Sequence, residues 1–201
     1  MMKDNLVLAI DTAADSISVA LIQDKKVLAH QYRQMERGQG EALIPMIENV
    51  IQKAGCSFNK IGKVAVSKGP GSFTGVRIGL ATARGIGLAL NIPVVGITSF
   101  EAPAWGVQEK VLVILDTKRG DFFTQLFEKG VAVEEPVIRN EAEIQKLNPP
   151  ALIGSGVAYL TNTHIPILKT DNEPAVAVGL CSFEIEHSAE PLYLRDADVS
   201  I

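Results

Sequence analysis

The chain has 201 residues, of which 47% are hydrophobic and 21% are charged, an ordinary globular mixture with enough residues for one domain or two small lobes. Its net charge of -4 argues against a dedicated nucleic-acid-binding surface, and two cysteines without a CxxC motif argue against a disulfide framework or a zinc site. We find no signal-peptide pattern and no apolar run of about 20 residues, so we expect a soluble, cytoplasmic protein without membrane contact.

The first half of the sequence predicts an α/β lobe that begins with a β-meander. Apolar, branched runs separated by polar turns predict the strands, and apolar residues at helical spacing predict the helices. In chain order we predict strands at 6–10, 17–22 and 27–31, a helix at 41–54, a strand at 61–66, a helix at 74–90, a strand at 93–97 and the start of a helix at 99–105. Residues 1–105 therefore form the predicted N-terminal lobe.

The first of these helices has a broad apolar face, carried by Leu43, Ile47 and Val50 among others. Ala42 and Met46 widen the apolar surface, so the helix needs more than one packing partner. Pro45 implies a kink or a first-turn position.

The second helix contains small residues at every fourth position, Gly75, Gly79, Ala83 and Gly87. Because each glycine costs about 1 kcal/mol relative to alanine in a helix, this stripe indicates close contact with another backbone. Two interpretations remain open: packing inside the same fold, or a helix–helix interface with a second subunit.

A loop with three glycines, residues 68–75, leads into this helix. It lacks the Gly-Lys-Ser/Thr ending of a Walker loop, although a glycine loop at a helix N-terminus can bind an anion. A tight turn with Ser72 or Thr74 as helix cap is the alternative that the spacing favours.

The pattern then restarts, and residues 106–201 form the predicted C-terminal lobe. Asp11-Thr12 and Asp116-Thr117 both follow an apolar strand and precede a turn and a returning strand, which indicates an internal repeat. The remaining predicted elements are strands at 111–115, 122–127 and 151–153, helices at 141–147 and 175–185, and a last element at 191–195.

The two Asp-Thr turns resemble the paired phosphate loops of the actin and sugar-kinase architecture. The residues after Asp11 include no glycine, which favours a retained structural hairpin over contact with a nucleotide. The three histidines are scattered without metal-ligand spacing, and no GxSxG motif surrounds Ser67 or Ser72. We therefore predict no catalytic residue and no metal site.

The sequence GPGSFTGVR at residues 69–77 closely resembles the bacterial TsaB family, also called YeaZ. Further matching segments cover nearly the whole chain: residues 9–12, 18–21, 43–47, 93–97, 116–120 and 190–195.

The resemblance implies a two-lobed actin-like (ASKHA, ribonuclease H-like) α/β fold with an internal duplication and a reduced second lobe. It also implies a non-catalytic subunit needed for threonylcarbamoylation of N6 of adenosine 37 in tRNAs that read codons beginning with A. The catalytic relative, TsaD, holds a metal through two histidines, and the corresponding positions here are roughly Ser99 and Pro103, which carry no imidazole.

The resemblance further implies pairing with TsaD, a larger assembly with TsaE, and a homodimer through the same helices. Contact with tRNA would occur only in the complex, and ATP, Mg and a metal would belong to the partner subunits. The predicted interface residues are Leu43, Ile44, Met46, Ile47, Val50, Ile51, Gly75, Val76, Gly79, Leu80, Ala83 and Gly87. A vestigial nucleotide cleft would contain Asp11, Thr12, Asp116 and Thr117.

The alternative function is an ATP-binding kinase or acyl-transfer enzyme of the same architecture, using Asp11 and Asp116.

Overall fold

The computed structural model describes residues 5–161, 163–170 and 172–195, and the chain divides into two compact units. Unit 1 holds the described residues of Met1–Thr98 and Asn172–Leu192, and unit 2 holds those of Ser99–Asp171 and Tyr193–Ile201. The predicted boundary after residue 105 is thus displaced to residue 98, and a segment from the predicted second lobe belongs to unit 1.

Both units contain strands and helices. The strands are β1 (Leu6–Asp11), β2 (Ser16–Gln23), β3 (Lys26–Gln34), β4 (Lys63–Ser67), β5 (Val94–Ile97), β6 (Val111–Asp116), β7 (Phe122–Glu128), β8 (Val131–Ala132), β9 (Val137–Arg139), β10 (Leu152–Ile153) and β11 (His187–Ser188). The α-helices are α1 (Gln39–Lys53), α2 (Phe73–Leu90), α3 (Glu101–Ala104), α4 (Glu141–Leu147) and α5 (Pro174–Cys181).

Unit 1 is built on a six-stranded sheet with the strand order β11-β5-β4-β1-β2-β3. The meander β1-β2-β3 is antiparallel, whereas β4 pairs with β1 and β5 in parallel. Side chains alternate between the two faces along a strand. Leu8 and Ile10 of β1 join the core formed with α1 and α2, while Ala9 faces α5 at Gly179.

The last helix corrects the domain prediction. We expected a helix at 175–185 in the second lobe, but α5 ends at Cys181 and packs on β1 and β2 in unit 1. It is apolar on nearly all sides, because Ala175 to Gly179 are all buried. Such a helix must be covered all round, but its sequence pattern does not indicate which sheet covers it.

Unit 2 contains a smaller sheet with the order β10-β6-β7-β8, in which β9 also pairs with β7. Val111 and Val113 of β6 belong to one apolar cluster, and Leu112 and Ile114 belong to another, so this sheet is buried on both faces.

Most predicted elements are confirmed, and Pro45 lies inside α1 rather than in its first turn. The prediction missed the short strands β8, β9 and β11. The last predicted element, residues 191–195, contains neither helix nor strand.

Candidate functional site

The turn between β1 and β2 is fastened to the start of α2 by hydrogen bonds. The Oδ1 atom of Asp11 accepts from the backbone N–H of Ala13 at 2.9 Å, which closes the turn. The Thr12 hydroxyl donates to the carbonyl oxygen of Gly75 at 2.7 Å, and the N–H of Ser72 donates to the carbonyl oxygen of Ala13 at 2.7 Å. The turn and the glycine loop therefore form one connected structure.

The glycines of this loop allow the turn to approach the backbone closely. A Cβ atom on Gly71 would lie 2.3 Å from the carbonyl oxygen of Ala13, and one on Gly75 would lie 2.0 Å from that of Thr12. Both distances are far below van der Waals contact, so only glycine fits. Ser72 caps α2, since its Oγ accepts from the Gly75 N–H at 3.2 Å. The predicted tight turn with a Ser72 cap is confirmed.

The Asp11 side chain is buried among neutral hydroxyl groups. The residue is 8% exposed, Ser18 stands opposite it on β2, and Ser67 ends the neighbouring parallel strand β4. Burial raises the Asp11 pKa, and the hydrogen bond from Ala13 and the neighbouring Ser67 hydroxyl oppose that rise. The fully buried Ser67 hydroxyl adjoins the carboxyl group but makes no hydrogen bond of good geometry.

The corresponding turn of unit 2 has the same local geometry in a different setting. Asp116 accepts from the backbone N–H of Lys118 at 2.9 Å, and Thr117 donates to the carbonyl oxygen and the carboxylate of Asp121. Arg195 binds the same carboxylate, with Nη2 2.6 Å from Oδ2. The Arg195 hydrogen bonds, followed by that of Thr117, lower the Asp121 pKa.

The small-residue stripe of α2 faces the sheet of its own unit. A Cβ atom on Gly79 would lie 2.5 Å from Oγ1 of Thr12, and one on Gly87 would lie 2.3 Å from Cγ2 of Val94. The first interpretation of the stripe, packing inside the fold, is therefore the correct one.

This finding corrects the predicted partner interface. Every residue of that set except Ile44 is buried in the core of unit 1 and cannot form a contact surface; these residues are Leu43, Met46, Ile47, Val50, Ile51, Gly75, Val76, Gly79, Leu80, Ala83 and Gly87.

The opposite side of α2, with the adjoining part of α1, forms a largely apolar surface that we name the outer face. Leu88 is 86% exposed and Ile44 is 46% exposed, and Gly40 of α1 lies next to Ile78 of α2. The outer face consists of Ile44 of α1 and Thr74, Ile78, Ala81, Thr82, Gly85, Leu88 and Ala89 of α2.

Gly85 lies in the middle of the outer face. A Cβ atom built on it meets nothing within 4 Å, unlike the glycines of the stripe. Sequence reasoning missed this residue because the four-residue recurrence selected the buried side of α2. The available signal was a helical glycine outside that recurrence.

The described part of the chain offers no candidate for a metal centre or a membrane span. Among the described residues, no group of three or more His, Cys, Asp or Glu side chains is placed to hold a metal ion. Within the same residues, no helix is both long and apolar enough to cross a membrane.

Sequence comparisons connect the chain to proteins of tRNA modification. A family model described as TsaD, tRNA N6-adenosine threonylcarbamoyltransferase, matches residues 27–182. The tRNA threonylcarbamoyladenosine biosynthesis protein TsaB of Escherichia coli K12 is 33% identical over 165 residues, or 75% of this chain and 71% of that protein. The Bacillus subtilis protein of the same name is 28% identical over 138 residues, which cover 67% of this chain and 60% of that protein.

Solved structures share the fold. YeaZ from Pseudomonas aeruginosa superimposes with a TM-score of 0.73 at 21% identity, covering 94% of this chain and 100% of that one. A ROK hexokinase from Thermus thermophilus gives a TM-score of 0.51 at 12% identity, covering 89% of this chain and 97% of that one.

The fold is therefore an actin-like α/β fold of the ASKHA class, and each unit contains an Asp-Thr hairpin closed by the same hydrogen bond. Within that class, the chain belongs to the TsaB family of tRNA threonylcarbamoyladenosine biosynthesis proteins.

Proposed function

We propose that this protein is a non-catalytic subunit in the threonylcarbamoylation of N6 of adenosine 37 in tRNAs that read codons beginning with A. It pairs with TsaD and supports its activity, and TsaE joins the assembly. Family membership supports the pathway. The observation that supports the partner role is the outer face of α1 and α2, which is apolar and has an open glycine at its centre.

Gly85 is the strongest argument for a partner at this face. A glycine inside a helix costs about 1 kcal/mol relative to alanine. The fold of this chain gains nothing from it, because a Cβ atom there would stand in open space. A partner helix whose backbone comes close to α2 would require a glycine at this position. Ala81 and Ala89, one turn before and after it, are also small and exposed.

The large apolar side chains at the same face point to the same conclusion. Leu88 and Ile44 gain from leaving water, at roughly 25 cal/mol for each Å² of apolar surface buried. An uncovered apolar face is also an association hazard for a free subunit. We therefore propose that the isolated protein forms a homodimer through the outer face, and that TsaD replaces the second copy in the complex.

The protein in this proposal needs no cofactor of its own. ATP, Mg and a metal belong to the partner subunits, tRNA is contacted only through the complex, and the assembly works in the cytoplasm. The packing of the Asp11 turn supports this, because Thr12 and Ala13 are in contact with the glycine loop. No observation favours the alternative of an ATP-dependent enzyme using Asp11 and Asp116.

The test is the substitution Gly85→Leu, which adds bulk at the centre of the outer face, where a Cβ atom meets nothing within 4 Å inside the chain. We expect at least a roughly tenfold loss of affinity for TsaD, measured by calorimetry, which corresponds to about 1.4 kcal/mol. Thermal unfolding of the isolated variant at a concentration where it is monomeric should show no loss of stability, since leucine is a better helix former than glycine.

Asn49→Leu is the matched control. It adds the same side chain at an exposed position of α1 that is turned about 140° from Ile44. We expect this variant to bind TsaD normally. If Gly85→Leu binds TsaD as tightly as the wild type, or if both variants lose the same affinity, the outer face is not the partner surface.

A further inference from the structure

We propose that a second copy of this chain binds the outer face in one orientation, with α1 of each copy against α2 of the other, and that four charged residues select this orientation. Glu41 and Glu48 of α1 form what we name the acidic ridge, and Arg77 and Arg84 of α2 form the basic ridge. The inference rests on the proposed homodimer through the outer face and adds the geometry of that dimer.

The acidic ridge borders the outer face on α1. At about 100° per residue, Glu41 and Glu48 are turned by about 60° and 40° from Ile44, away from the side of α1 that carries Gly40. Both glutamates are exposed. The third charged residue of α1, Lys53, is turned by about 180° from Ile44 and does not reach this border. The α1 border of the outer face is therefore negative.

The basic ridge borders the outer face on the far side of α2. Arg77 and Arg84 are exposed and are turned by about 80° and 100° from Gly85, in the direction opposite to Ile78, which faces α1. Arg84 donates to the carbonyl oxygen of Ala189, which follows β11 at the edge of the sheet. The apolar outer face thus lies between a negative and a positive border.

The two ridges lie at the same height along the helices. Strands β3, β4 and β5 are parallel to one another, so α1 and α2, which connect them in turn, run in the same direction. A Cβ atom on Gly40 would lie 3.9 Å from Cδ1 of Ile78, and Glu41 follows this contact by one residue while Arg77 precedes it by one. The second member of each ridge is seven residues further on, about 10.5 Å along the axis.

This arrangement makes the outer face self-complementary about one two-fold axis. An axis along the helices places α1 over the partner's α2 and leaves every height unchanged, so that both glutamates of one copy meet arginines of the other. An axis across the helices places α1 on α1 and α2 on α2, which brings like charges together. Opposite charges across an interface favour an orientation and like charges oppose it, so the ridges select the first axis.

The ridges select the orientation more than they supply affinity. The guanidinium carbon of Arg77 lies 3.6 Å from the centroid of the Phe73 ring, which holds this side chain at the border of the outer face. The ion pairs of the dimer would lie at the rim of the interface, where a single pair contributes little and is screened by salt. The homodimer should therefore be weaker in high salt than in low salt.

The first experiment measures the dissociation constant of the homodimer by sedimentation in low and high salt. The double variant Glu41→Gln/Glu48→Gln removes all the pairs, and we expect about tenfold weaker dimerisation in low salt and a smaller difference in high salt. The control, Glu109→Gln/Glu128→Gln, changes the net charge equally at exposed positions of unit 2 and should dimerise as the wild type does. An unchanged or tighter homodimer in the first double variant would overturn the proposal.

Gly85→Leu in the same assay separates this inference from the proposed function. If Gly85→Leu dimerises as the wild type does, the outer face is not the interface and both proposals fail for the homodimer. If Gly85→Leu weakens the homodimer while neutralising the acidic ridge does not, the outer face stands and the orientation is wrong.

Cross-linking tests the orientation directly. Chains with Glu48→Cys and chains with Arg84→Cys, each also carrying Cys56→Ser, are treated with a short bifunctional maleimide, separately and as an equilibrated mixture. We expect a covalent dimer in the mixture and none from either variant alone, because each position faces the other across the two-fold axis. A covalent dimer from one variant alone, or none in the mixture, would overturn the proposal.

Discussion

The two Asp-Thr turns have the same local geometry, yet their surroundings differ in burial, hydrogen bonding and charge. Both close through the same hydrogen bond, from the N–H two residues after the aspartate to its Oδ1, at 2.9 Å in each case. The turn of unit 1 is buried against a glycine loop, and its threonine bonds to the backbone of α2. The turn of unit 2 is partly open to solvent and bonded to the ionic pair of Asp121 and Arg195.

This difference shows that two turns with the same closing hydrogen bond can have different structural roles. In unit 1 the turn is part of the core that positions α2, and thereby the outer face. In unit 2 it holds its own hairpin and the segment that contains Arg195. Substitutions in the two turns test the contrast between a turn held by packing and a turn held by charge.

The largest effect should come from Gly75→Ala. The new Cβ atom would lie 2.0 Å from the carbonyl oxygen of Thr12, so the backbone of the turn or of α2 must move. We expect a loss of about 3 kcal/mol or more in the free energy of unfolding, measured by urea denaturation. Gly85→Ala is the control in the same helix, and it should gain up to about 1 kcal/mol. Equal changes in the free energy of unfolding for the two variants would contradict the close contact between Gly75 and the β1–β2 turn.

The next largest effect is a difference in stability loss between valine substitutions at Thr12 and at Thr117. Thr12→Val removes a buried hydrogen bond to the Gly75 carbonyl oxygen while keeping the shape of the side chain, and should cost about 1–2 kcal/mol. Thr117→Val removes bonds at a partly exposed site where water can replace the hydroxyl, and should cost less than about 1 kcal/mol. Denaturant unfolding of both variants measures the two losses of stability. A larger loss for Thr117→Val than for Thr12→Val would contradict the prediction.

The smallest effect concerns the charge in unit 2 and depends on pH. The pKa of Asp121 is lowered, mainly by Arg195, so its contribution to stability is present above the ordinary aspartate pKa and is lost as the pH falls through the folded value. Asp121→Asn should cost about 1 kcal/mol at neutral pH and progressively less in acid. A loss that is independent of pH would show that the ion pair does not cause it.

Much of the architecture could be predicted from the sequence because local patterns determine it. The meander follows from apolar runs divided by Asp and Lys turns, and the start of α2 follows from a serine that can accept from the Gly75 N–H. The very short strands β8 and β11 were missed because two residues carry no periodicity.

The orientation of α2 could not be predicted in the same way. A four-residue recurrence of glycine shows that something approaches closely, but not whether it is a neighbouring strand or another subunit. The contact of Gly79 with Thr12 depends on the tertiary structure. Gly85 becomes informative only once the structure shows that nothing in this chain touches it.

The central claim, that the outer face makes this protein a required partner in tRNA threonylcarbamoylation, is tested most directly by reconstitution. TsaD and TsaE are supplied with tRNA and the threonylcarbamoyl donor, and this chain is added as wild type, as Asn49→Leu or as Gly85→Leu, or is omitted. The account predicts modified tRNA with the wild type and Asn49→Leu, and little or none with Gly85→Leu or without the chain. Full modification in the absence of the chain would contradict it.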